Sequence, residues 1–75
     1  MSKTFQVGTA YKFSPLMYIG MKALMQAEYK GEDGVFTVHH IDDEGFAYTD
    51  DITSPVTTDR CKIPAHIIDS CEEVA

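Results

Sequence analysis

Apolar residues fall at even spacing at the start of the chain: Phe5, Val7, Tyr11 and Phe13. That period of two is the mark of a strand with one buried face. Gly8 interrupts the run and predicts a bend or bulge. Ser14-Pro15 then reads as a helix start, with serine as N-cap and proline preorganised for the first helical position. From Pro15 to about Glu28 every residue is compatible with a helix. At about 100° per residue, one face collects Leu16, Ile19, Gly20, Ala23, Leu24 and Ala27. A second apolar strip collects Met17, Met21 and Met25, with Tyr18 beside it, and only Lys22 and Gln26 form a polar edge. A helix apolar over so much of its circumference is expected to be covered on two sides.

Lys30-Gly31-Glu32-Asp33-Gly34 is a turn cluster, and Val35 to Ile41 is a β-branched and aromatic run that predicts a strand. Asp42-Asp43-Glu44-Gly45 predicts a hairpin loop, and Phe46 to Thr49 the returning strand. A polar excursion from Asp50 to Asp59 precedes a short closing strand, Arg60 to Ile63. Pro64 then opens a last helical turn, Ala65 to about Cys71. The expected fold class is α+β: a small antiparallel sheet of about four strands, one helix inserted after the first, and a short C-terminal helical turn. The Val-Gly-x-x-Tyr opening strand, the acidic-Gly hairpin and the short closing helix are similar to those of many small barrels. The resemblance implies an SH3-like partial barrel with a helical insertion.

Seventy-five residues make one domain, 1–75, with residues 72–75 expected as a disordered tail. So short a chain buries only about 60% of its unfolded surface, which favours help from a partner subunit or a cross-link. Twelve acidic residues against six basic ones give a net charge of −6. The basic residues, Lys3, Lys12, Lys22, Lys30, Arg60 and Lys62, are scattered along the chain. Direct nucleic-acid binding is therefore not expected, because it rests on clustered Lys and Arg releasing counterions from phosphates. No signal-like apolar run opens the chain. The greasiest stretch, Leu16 to Ala27, falls short of the roughly twenty residues needed to cross a bilayer. A cytoplasmic protein with no membrane partner is the expectation, with Cys61 and Cys71 as free thiols.

Three features carry candidate chemistry. Met17, Met21 and Met25 recur at i, i+4 and i+8, and methionine repacks readily against irregular surfaces. Gly20, Ala23 and Ala27 would let the opposite face lie close to the sheet. On this reading Met17, Tyr18, Met21 and Met25 meet a partner protein or a second copy of the chain. The second feature is acidic: Asp42, Asp43, Glu44, Asp50 and Asp51 could rim that contact. Alternatively they could mimic a row of phosphates and occupy the basic cleft of a DNA- or RNA-binding protein. The third is the set His39, His40, Cys61, His66 and Cys71, which has zinc-ligand types but none of the usual zinc spacings. Neighbouring strand residues such as His39 and His40 also point to opposite faces. No metal, cofactor or catalytic residue is expected, since no nucleophile elbow or phosphate loop occurs. The sequence thus predicts a small acidic protein–protein interaction module that is not an enzyme. In style it resembles the short accessory proteins of bacteriophages, which implies an inhibitor or modulator of a host protein.

Overall fold

The computed structural model describes residues 3–56 and 61–74. Among the described residues the chain is α+β, with eight short strands in three small antiparallel sheets, one α-helix and one 3-10 helix. In chain order these are β1 (Ala10–Phe13), α1 (Pro15–Met25), β2 (Glu28–Tyr29), β3 (Val35–Thr37), β4 (His40–Ile41), β5 (Ala47–Thr49), β6 (Ile52–Thr53), β7 (Cys61–Ile63), the 3-10 helix (Ala65–Ser70) and β8 (Cys71–Glu73).

The sheets are β3-β1-β8, β2-β6 and β4-β5-β7. β1 lies between β3 and β8, with Tyr11 opposite Phe36 on one side and Phe13 opposite Cys71 on the other. β5 lies between β4 and β7, with Tyr48 opposite His40 and Lys62. The strand expected over Val35 to Ile41 divides at Val38-His39. Its first half pairs with β1, while His39 donates to the Tyr48 carbonyl and its second half pairs with β5. One bent stretch thus serves two sheets, and short pairings at Glu28–Tyr29, Ile52–Thr53 and Cys71–Glu73 bring the expected four strands to eight among the described residues.

The core is one cluster with an aromatic group of four at its heart. Phe5, Tyr11, Phe13 and Phe36 are buried with ring centroids 4.9 to 6.1 Å apart. Val38, Ala47, Ile52, Cys61, Ile63, Ile68 and Cys71 complete it. Val7 stands outside, because the chain turns at Gly8 before β1 begins. The tail expected at 72–75 is ordered through Val74: Glu72 and Glu73 pair with Lys12 and Tyr11, and Val74 donates to the Ala10 carbonyl. Cross-strand hydrogen bonds to a buried strand hold these residues in place; Ala75 lies outside the described residues, as does Arg60 of the expected closing strand.

Local chemistry at the helix start follows the sequence. The Ser14 hydroxyl accepts from the Met17 amide and Pro15 occupies the first turn. The helix ends at Met25 rather than at Glu28. Gln26 turns left-handed (φ 52°), and the amides of Gln26 and Ala27 both bond back to the Met21 carbonyl. Glu28 and Tyr29 are then taken by pairing with Thr53 and Ile52. The Ser54 hydroxyl donates to the Met25 carbonyl, which ties the C-terminal end of α1 to the segment after β6.

Candidate functional site

No residue of α1 is buried. The helix is nonetheless oriented, and in the sense opposite to the sequence expectation. Met17 and Met21 pack against the core, together with Tyr18. Leu16, Ile19 and Leu24, assigned from the sequence to the sheet-facing side, are 83, 60 and 78% exposed. Val56, which follows the Ser54 tie to the helix end, is also exposed.

Tyr18 accounts for this rotation. Its ring stacks on Tyr29 at 5.9 Å and lies over Gly34, where an added Cβ would stand 3.3 Å from the Tyr18 ring. Gly34 has a φ of 80°, so glycine is favoured there on both counts. The Tyr18 hydroxyl donates to Asp33. With that aromatic anchor inside, the methionines follow it inward and the leucines turn out. Tyr18, expected as a partner contact, is half-buried and engaged within its own chain.

The methionines fill their side loosely. A groove of about 660 Å³ runs along it, lined by Met17, Met21 and Met25 with Phe13, Ile63, Pro64 and Ile67; Tyr48, Cys61 and Lys62 also contribute. α1 therefore has two apolar aspects: a methionine side over an open groove and an aliphatic side in water.

The acidic hairpin is organised by one of its own carboxylates. Asp42 accepts from the amides of Glu44 and Phe46 and from the Tyr48 hydroxyl, at 2.9 to 3.0 Å. Desolvation opposes its charge, but those bonds, with the Lys62 ammonium nearby, outweigh it and hold the carboxyl below its usual range. The same bond to Asp42, then burial, pushes the Tyr48 phenol up. Gly45 closes the loop at φ 87°, as the hairpin reading required. Asp51 accepts from the Thr37 amide at 2.8 Å, and its carboxylate stands 4.0 Å from the His39 imidazole. Two of the five carboxylates proposed as phosphate mimics thus serve the fold. Asp43, Glu44 and Asp50 are exposed.

The remaining candidates are separated from one another. Cys61 lies in β7 and Cys71 in β8, each buried and unbridged, and Cys71 donates to the Ile67 carbonyl. Burial pushes the Cys61 thiol up and the Cys71 thiol up to about 11, the latter slightly offset by Lys3. His39 faces Asp51, His40 lies against Tyr48, and His66 is exposed on the 3-10 helix. Among the described residues no three His, Cys, Asp or Glu side chains are grouped to hold a metal ion, and no helix is long and apolar enough to cross a membrane.

Charge divides the chain in a way the residue totals conceal. All twelve acidic residues stand at Glu28 or later, and before that point the chain carries only Lys3, Lys12 and Lys22. The aliphatic face of α1 therefore belongs to an acid-free segment of an otherwise acidic protein. Comparison with known protein families, with characterised proteins and with solved structures finds no match for the chain.

Proposed function

We propose that this protein is a binding module, with no catalytic role of its own, that presents α1 to another protein or to a second copy of itself. One observation carries the reading: Leu16, Ile19 and Leu24 stand 60 to 83% exposed on one short helix. Single exposed aliphatics are ordinary, but a contiguous apolar patch on a small monomer marks a contact surface. The methionine groove beside it supplies a surface that can repack as a partner docks. The exposed acidic residues of the hairpin and of the β5–β6 turn would lie outside the contact and steer approach.

We read the scaffold as an SH3-like partial barrel opened by the helical insertion. The supporting order is a first strand paired with both β3 and the last strand, and a short helix between the final two strands.

The test is site-specific photocrosslinking, with the photoreactive residue placed at Leu24, at Leu16 or at Asp43, in low and in high salt. Adducts at 16 and 24 that persist in high salt are the expected result. Adducts confined to position 43 and lost on adding salt would replace this reading with the acidic mimic, whose affinity is electrostatic and screened.

A further inference from the structure

We propose that the occupant of the aliphatic face of α1 is a second copy of the same chain, docked antiparallel across a two-fold axis at Gly20. The proposal rests on the reading that this face is a contact surface, and adds who sits there and in which register.

Leu16 and Leu24 lie one turn to either side of Gly20. An antiparallel pairing centred on Gly20 sets Leu16 of each copy against Leu24 of the other, so the leucine pair is its own complement. A two-fold interface requires such self-complementarity, since the same patch must serve both sides.

Gly20 is itself unusual. A glycine inside a helix is unfavourable relative to alanine, and here nothing in the chain asks for it: φ is ordinary and an added Cβ would meet no atom within 4 Å. Gly34 and Gly45, by contrast, each have a positive φ and a neighbour at 3.3 Å. At the two-fold axis the missing side chain lets two helix backbones approach, with the leucines closing over the crossing on both sides.

Charge permits this occupant, and area limits its strength. Each copy carries −6, yet the seam brings together acid-free helices whose only charged residue is Lys22. Antiparallel packing also places each helix N-terminus beside the partner's C-terminus, the favourable sense for their dipoles. The chain exposes 5062 Å², roughly 450 Å² more than the ~4,600 Å² usual for a compact monomer of 8.4 kDa. That excess belongs to the whole chain; covering as much on both copies gives about 900 Å², below the ~1,200 Å² of stable specific interfaces, so the dimer is weak and reversible and is sought from roughly 10 μM upward.

The experiment is sedimentation equilibrium of the full chain across that concentration range, on the wild type, Leu16→Lys, Leu24→Glu and an equimolar mixture of the two variants. Gly20→Glu is the companion variant, because its side chain enters open space and leaves the monomer folded. The expected result is a wild-type dimer, at least roughly tenfold weaker in each variant alone. Dimer should return in the mixture, where the ammonium introduced at position 16 of one variant meets the carboxylate introduced at position 24 of the other. Loss in the single variants without recovery in the mixture would overturn the antiparallel register. A wild type that stays monomeric, or a dimer indifferent to all three substitutions, would overturn the second copy as occupant. A monomeric wild type that still crosslinks a different protein through position 24 leaves the binding-module reading standing; one with no adduct at 16 or 24 ends both.

Discussion

The β1 neighbourhood and α1 are adjacent in sequence and both rich in apolar residues, yet they treat those residues in opposite ways. β1 alternates: Tyr11 and Phe13 are buried and Lys12 is exposed, so its large apolar residues enter the core. α1 has apolar residues on nearly every side, buries none, and leaves its aliphatic ones in water. A segment whose apolar content matches the one face the fold can cover is explained by the fold. A segment with more than that is left with apolar residues the fold does not cover.

The contrast is sharpest in stability. Phe36 is 1% exposed and lies against the rings of Phe5, Tyr11 and Phe13. Phe36→Ala should cost about 3–5 kcal/mol, enough to unfold much of so small a domain in urea denaturation. Next comes alkali. The folded-state pKa of Cys71 is raised to about 11 and that of Tyr29 to about 12, each chiefly by burial. Each group therefore contributes stability that is fully present below its ordinary pKa, 9.0 for the thiol and 10.0 for the phenol. That stability is lost as pH rises through the folded values. Thermal melts should fall from about pH 9 upward, and Cys71→Ala should flatten the first part of that decline.

Smaller effects belong to the helix. Ser14→Ala removes the acceptor for the Met17 amide and should cost about 1 kcal/mol, with the loss of helical signal preceding global unfolding. Leu24→Gln should change monomer stability by no more than about 0.5 kcal/mol, measured below the dimerisation range. A loss of several kcal/mol there would mean that the outward leucines belong to the core, and the contrast would fail.

Much of the scaffold was legible from residue types whose effects are local. Ser14-Pro15 starts the helix, and Asp42 and Gly45 shape the hairpin, because each acts on backbone groups within a few residues. The alternation of Tyr11 and Phe13 identified a buried face. The rotation of α1 was not legible. Its two apolar strips are equally greasy, and the choice between them is made by Tyr18 against Tyr29 and Gly34, eleven and sixteen residues away. The division of Val35 to Ile41 between two sheets likewise depends on distant partners, Tyr11 on one side and Tyr48 on the other. The sequence pattern singled out α1 but assigned its inward and outward faces the other way round. Asp42 and Asp51 looked like free surface charge, yet they accept from turn and strand amides.

The position of β1 has a consequence for how the chain acquires its shape. β1 is a middle strand, yet one neighbour is β8, so its sheet cannot close until Cys71–Glu73 has been synthesised. α1, whose backbone hydrogen bonds are local, is synthesised long before that and can form transiently, with both apolar sides uncovered. During that interval the nascent chain offers a greasy helix and an unpaired strand together, the combination that draws chaperones or invites self-association. Rapid pairing of helices between neighbouring chains on one message would cover the first hazard before the last strand settles the second.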